Sequence, residues 1–247
     1  MNKVIVVQTH FGKGYMAREG LDNRSAAFTK QIISKCQKSV KNWCVQQGYE
    51  YRLVTEIPNI SFKTINSRLA ATELTYSYYQ YECFPKQGYD FIIFLDNDIW
   101  IIDPTSKIPI GDWQCSTTHD PARNAFLQFK IDPIASFWNA SILVMSQERS
   151  NHLSEWLKPR LEGKIKVPTW DEELREKYSY YNSHEMLLSW YCWYEAKPQH
   201  LPAEWHCRPK RFVDWERAKM IHFDGGSKEE QLNMLPKPLL NKFYEIT

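Results

Sequence analysis

The chain has 247 residues, 43% hydrophobic and 24% charged, the balance of a globular protein able to bury a sizeable core and not that of a disordered one. Its 31 basic and 29 acidic side chains leave a formal net charge of +2 and are intermixed along the sequence, which excludes a dedicated nucleic-acid binder. No apolar stretch approaches the roughly 20 residues needed to span a bilayer, and Met1-Asn2-Lys3 runs into Val4 without a signal-peptide layout, so we expect a cytoplasmic protein with no membrane span.

Val4 to Gln8 is a short apolar run ending in Thr9-His10 and then Gly12 and Gly14, the pattern of a buried parallel strand leading into a loop. From Ser25 to Gln47, Phe28, Ile32, Ile33, Cys36, Val40, Trp43 and Cys44 recur at spacings of three and four. They mark an amphipathic helix that Gly48 stops. Tyr49 to Thr55 alternates as a second strand, Asn66 to Phe84 reads as a second helix, and Phe91 to Leu95 follows as a third strand after Pro85 and Gly88. Strand, helix, strand, helix, strand is the opening of a parallel α/β domain.

Beyond Asp103 the pattern changes. Gln114 to Thr118, Ala125 to Lys130 and Ser141 to Met145 are short strand candidates, which implies a mixed sheet. Ser150 to Leu161 and Ser183 to Tyr194 read as helices, and Met220 to Phe223 as a late strand before a polar, proline-containing tail. No linker separates two cores, so we expect one α/β domain over 1–247. The six cysteines form no CxxC pair, which suits separate reduced thiols, and most of the ten Trp and fourteen Tyr are expected in the core.

The chemistry concentrates where the third strand ends. Asp96-Asn97-Asp98 places two carboxylates, one residue apart, where a buried strand opens to a loop, and hard oxygen ligands there suit Mn²⁺ or Mg²⁺. Such a cation neutralises phosphate oxygens and stabilises a departing diphosphate. A D-x-D alone is a weak signal. Its context, Phe91-Ile92-Ile93-Phe94-Leu95 before it and Ile99-Trp100-Ile101-Ile102-Asp103-Pro104 after it, makes it selective.

Residues 91 to 103 resemble the D-x-D segment of GT-A glycosyltransferases, families 8 and 34 above all. His222-Phe223-Asp224-Gly225-Gly226-Ser227-Lys228 is similar to the late His-Phe-x-Gly-x-x-Lys pattern of those families. The resemblance implies a GT-A type domain with a Rossmann-like amino-terminal half and a mixed central sheet, residues 1–103 seating the nucleotide and 104–247 the sugar and acceptor. It implies His222 as the third metal ligand beside Asp96 and Asp98, with Asn97, Gly225 and Lys228 at the nucleotide sugar. Asp224 competes as a ligand. Gln8, Thr9 and His10 are the matching base or ribose contacts, and Arg68 stands where related enzymes touch the phosphates, or is a solvated helix arginine.

Three further segments carry the resemblance. Phe137-Trp138-Asn139-Ala140-Ser141 is similar to the family's Phe-Asn-x-Gly strand, which would turn Asn139 to the sugar, although Asn139 could equally cap a turn. Asn182-Ser183-His184-Glu185 stands at the family's Asp-Gln-x-x-Leu helix start near the anomeric carbon. Glu185 is then a candidate for stabilising an oxocarbenium-like state, or a carboxylate complementing the helix dipole. Leu201-Pro202-Ala203-Glu204-Trp205-His206 resembles a Leu-Pro-x-x-Trp-Asn element, with His206 in place of the asparagine.

The function implied is metal-dependent transfer of a hexose or pentose from a UDP- or GDP-linked donor to a hydroxyl of a glycan, lipid or protein, with retention. Three other readings compete. A haloacid dehalogenase type phosphatase would use Asp96 as nucleophile and Asp98 as acid, but its motif opens the first strand of the fold. An inactive sugar-binding protein is suggested by Trp190, Tyr191, Trp193 and Tyr194. A nucleotidyltransferase would need a basic Gly-rich loop of which Gly12-Lys13-Gly14 is a faint echo.

Overall fold

The computed structural model describes residues 2–10, 23–56, 83–118, 137–161, 164–165, 188–189, 191–192, 194–210, 214–224 and 227–246. The expected strand at 125–130, all but the end of the helix at 66–84 and the first turn of the helix at 183–194 lie outside them. Val4–Thr9 (β1), Glu50–Val54 (β2) and Phe91–Leu95 (β3) are strands, and Asn23–Gln47 (α1) is the helix joining the first two. Gly48 ends α1 with φ 70°, the left-handed conformation glycine adopts without a Cβ clash. Tyr49 N–H then reaches back to the Cys44 carbonyl at 2.9 Å and Gly48 N–H to Val45, the paired bonds of a Schellman stop.

The chain continues through Ile99–Ile101 (β4), Trp113–Thr118 (β5), Phe137–Ser146 (β6), Gln147–Leu161 (α2), Gln199–His200 (β7) and Met220–His222 (β8). The six-stranded sheet has the order β2-β1-β3-β6-β5-β7. β1, β2 and β3 are mutually parallel, β6 runs against both β3 and β5, and β7 is parallel to β5. The sheet is therefore mixed and mostly parallel. β4 and β8 pair antiparallel in a separate ribbon, with Ile99 opposite His222 and Ile101 opposite Met220.

The uninterrupted apolar run of β3 follows from burial on both faces. Ile92 and Phe94 face one core with Ile5, Val7, Leu153, Leu157 and Tyr191, whereas Ile93 and Leu95 face another with Val4, Val6, Val40 and Trp43. A third core gathers Ile32, Cys36, Trp100, Ile221, Phe223 and Phe243 behind the ribbon. Each such side chain contributes about 1.5–3 kcal/mol on leaving water. The cysteines are free thiols, and burial pushes those of Cys44 and Cys207 up to about 12. Tyr191 is fully buried, so it is a core ring and not the sugar-stacking surface suggested by its sequence.

Three expectations change. β6 begins at Phe137, four residues before the apolar run, because the buried polar Asn139 and Ser141 satisfy each other: Ser141 N–H donates to Asn139 Oδ1 at 2.9 Å. β4 is a strand, not merely an apolar flank. The polar, proline-containing tail, for which no element was expected, holds two helices, Lys228–Asn233 (α3) and Lys237–Tyr244 (α4). Ser227 caps α3 by accepting Glu230 N–H at 3.2 Å, and Ser-Lys-Glu-Glu has the spacing of a capping box. Among the described residues no helix is long and apolar enough to cross a membrane.

Candidate metal centre

Asp96, Asn97 and Asp98 form the turn between β3 and β4, at the carboxyl end of the parallel strands, where ligands of α/β sheets bind. The turn is held at every residue. Asp96 N–H donates to the Ser141 carbonyl of β6 at 2.9 Å, and Ile99 N–H to the Asp96 carbonyl at 3.2 Å. Gln8 Nε2 donates to the same Asp96 carbonyl at 2.8 Å, while Tyr51 O–H donates to Gln8 Oε1 at 2.9 Å. Asn97 Nδ2 lies 3.3 Å from the Thr9 carbonyl and 3.0 Å from His10 Nδ1. Burial and then Lys30 lower the His10 pKa, which favours the neutral ring, and an amide Nδ2 can only donate to His10 Nδ1.

The ribbon delivers the third candidate ligand. Pairing of β8 with β4 sets His222 beside the turn, with Nε2 3.3 Å from Asp98 Oδ1 and 3.6 Å from Asp96 Oδ2. One ligand atom from each of Asp96, Asp98 and His222 lies within 4.8 Å of the others. Neighbouring ligands of an octahedral ion with bonds near 2.1 Å stand about 3 Å apart and opposed ones about 4 Å, so the cluster has the dimensions of a coordination shell.

Charges in the cluster are arranged for a cation. Burial alone would raise the Asp98 carboxyl, but the Lys228 ammonium and the His222 ring hold it well below the usual carboxylate range. Lys228 Nζ donates to Asp98 Oδ2 and to the Phe223 carbonyl, each at 2.6 Å. Oδ1 of Asp98 is buried and faces the His222 Nε2 at 3.3 Å, without the close hydrogen bond a buried carboxylate oxygen ordinarily accepts. Partial removal from water and the Asp98 charge raise the Asp96 carboxyl. Burial opposes the charged form of His222, yet Asp98, Asp224 and Asp96 outweigh it and lift its pKa. An orphaned carboxylate oxygen, a second carboxylate and an imidazole nitrogen converging on one point fit a hard divalent ion.

Asp96 is the open member at 35% side-chain exposure, while Asp98 and His222 lie deep. Thr9, His10 and Asn97 line the edge of the same turn. Gln8 is fully buried, with both ends of its amide used inside the fold, so it holds the Asp96 backbone instead of facing a ligand. Asn139 is buried beside a bulge in the β5–β6 pairing, its carbonyl oxygen taken by Ser141 N–H. Asp224 pairs with Arg208, Nη1 to Oδ2 at 2.9 Å. Arg68, Glu185 and Gly225 lie outside the described residues. His206 and Arg208 were given no role by the sequence. Their signal is weak, a period-2 pair alongside β8 that is recognised only once Cys207 is seen to bridge Ile221.

No protein-family model matches the sequence, and no curated protein does. Solved structures do. One is the crystal structure of a glycosyltransferase involved in the glycosylation of the major capsid of PBCV-1, 13% identical, with a TM-score of 0.50 over 94% of this chain and 98% of that one. Another is the galactosyltransferase LgtC in complex with donor and acceptor sugar analogs, 12% identical, with a TM-score of 0.47 over 96% of this chain and 99% of that one. The likeness to the first is one of fold: this chain has the mixed α/β, GT-A type architecture.

Proposed function

We propose that this chain is a metal-dependent glycosyltransferase that moves a hexose or pentose from a UDP- or GDP-linked donor to a hydroxyl of a glycan, lipid or protein, with retention. The observation that carries the reading is the convergence of Asp96, Asp98 and His222 at the carboxyl end of the parallel strands of a GT-A type fold. The ion, Mn²⁺ or Mg²⁺, would offset charge on the donor's two phosphates and on the departing nucleoside diphosphate.

The residues of the chain divide the remaining work. The half-buried Asp96 and the deeper Asp98 and His222 would hold the ion. Lys228 keeps Asp98 ionised. Thr9, His10 and Asn97 sit at the rim where the nucleotide would lie, and Arg68, Gly225, Asn139 and Glu185 are retained for donor binding and the anomeric carbon from the family resemblance alone. In the transfer the anomeric C–O bond to the diphosphate breaks, the acceptor oxygen bonds that carbon, and the hydroxyl proton passes to the departing nucleoside diphosphate.

The phosphatase reading loses ground on one observation. Its general acid would be Asp98, and a carboxylate pinned by Lys228 at 2.6 Å and held below its usual range does not carry a proton to donate. Thermal shift and hydrolysis against UDP- and GDP-sugars, with and without Mn²⁺, test the proposal. A metal-dependent response to a donor, lost in Asp98→Ala, is expected. Binding of no nucleotide sugar, with Asp98→Ala changing stability only, would sink it.

A further inference from the structure

His222 presents two ring nitrogens to different neighbours. Nε2 faces the carboxylates, and Nδ1 lies 3.0 Å from Nε2 of His206, the two rings 5.2 Å apart and inclined by 26°. A nitrogen that coordinates a cation does so through its lone pair, so a neutral His222 binding through Nε2 carries its one proton on Nδ1. That N–H is buried with the ring and needs an acceptor, and His206 Nε2 stands at hydrogen-bond distance.

The backbone brings the two residues to one face. Trp205 is buried and ends the short 3₁₀ turn Ala203–Trp205, and His206 N–H closes that turn onto the Ala203 carbonyl at 3.1 Å. Cys207 then clips to β8 on both sides, its N–H donating to Met220 at 3.1 Å and its carbonyl accepting His222 N–H at 2.8 Å. With Cys207 opposite Ile221, both turned into the core behind the ribbon, the flanking residues 206 and 222 share the other face.

We propose that His206 is the positioning residue of the metal centre: its Nε2 accepts the Nδ1 proton of His222, fixing the ring plane and the tautomer that aims the Nε2 lone pair between Asp96 and Asp98. This rests on the metal-binding part of the function proposed above. Ligand histidines usually pass this proton to a carboxylate, a carbonyl or water. Here a second imidazole takes it, and its place at 3.0 Å is set by backbone bonds of Cys207 that do not involve the ion, so the ligand is oriented in advance.

Two variants and two measurements test it. Phenylalanine at 206 keeps a ring and removes the acceptor, whereas glutamine offers a carbonyl oxygen at similar reach. Titration calorimetry with Mn²⁺ should show His206→Phe weakened by about 10–100-fold and His206→Gln restoring most of the affinity. Long-range ¹H–¹⁵N spectra of the Mg²⁺-loaded protein should place the His222 proton on Nδ1 in the wild type. Wild-type affinity in His206→Phe overturns the role of His206 and leaves the metal site standing, whereas a His222 proton on Nε2 in the loaded protein overturns coordination through Nε2 and the role of His206 with it. Failure of the wild type to bind Mn²⁺ overturns both. Were His206→Phe to unfold, the spectrum and the glutamine variant still decide.

Discussion

Lys228 Nζ and Asp98 Oδ2 meet at 2.6 Å inside the protein, 130 residues apart in the chain, with the lysine side chain wholly shielded from water. A buried ion pair contributes little net stability over a well-packed apolar pair, but breaking it from one side is costly because the remaining charge is stranded. The pair therefore acts on the site more than on the fold: it fixes the Asp98 charge and leaves its other oxygen aimed at His222.

Lys228→Met is expected to lower the unfolding free energy by about 3–5 kcal/mol in urea, since Asp98 is left uncompensated. Adding Asp98→Asn should recover a large part of that loss. A single-variant cost below about 1 kcal/mol would show that water reaches the pair.

Asp96→Asn is expected to act oppositely on two measurements. Without metal, removing one of two adjacent negative charges should raise stability by about 0.5–2 kcal/mol, as is common where a functional site is strained. With Mn²⁺ at 100 times its dissociation constant the wild type should gain about 2.7 kcal/mol, and the variant, lacking a ligand, little of it. Thermal melts with and without Mn²⁺ read both effects, and equal metal-induced shifts in the two proteins would contradict the ligand role.

Trp100 lies on β4 between the metal turn and the carboxyl-terminal helices, edge-on to Phe243 with ring centroids 5.1 Å apart. Trp100→Ala should cost about 3–5 kcal/mol, the usual penalty for emptying a buried indole site. Because the neighbouring backbone carries Asp98, Mn²⁺ affinity should fall with it. Loss of stability with full affinity would show that the turn is rigid without the ribbon.

Asp103 predicts a pH dependence. The hydroxyls of Ser106 and Thr105 donate to its carboxylate at 2.5 and 2.7 Å, with Thr105 N–H at 3.0 Å and Lys219 at 3.6 Å. These groups hold its pKa below the ordinary value against a small opposing effect of burial. A carboxyl with a depressed folded-state pKa adds stability that is complete above its unfolded value, about 3.9, and disappears as pH falls. The gap between wild type and Asp103→Ala should thus be full above about pH 5 and close progressively below about pH 4. A gap that widens in acid would contradict this.

The sheet and the acidic turn at its opening were legible in the sequence because burial on both faces of β3 demands an apolar run, and a charge pair at its end can only face the opening. The carboxyl-terminal helices were missed because Pro236 and Pro238 suggest a broken tail, although Ser227 and Glu230 carry the cap spacing and proline is tolerated in a first turn. Gln8 was misleading for a different reason. A polar residue ending a strand looks like a ligand contact, and only the positions of Tyr51 and the Asp96 carbonyl show that its amide is consumed internally. His206 could not be read as a partner of His222, because a bond between two side chains on separate segments has no local pattern.

The pairing of β4 with β8 also sets a schedule. A ribosome releases Asp96 and Asp98 well before His222, and synthesis at about 5–20 residues per second leaves the two carboxylates without their imidazole for many seconds. During that interval the nascent chain holds like charges side by side, and Ile99, Trp100 and Ile101 have no strand to cover them. A product stopped before Met220 therefore has the first strands and the acidic turn, but neither His222 nor the ribbon that closes them.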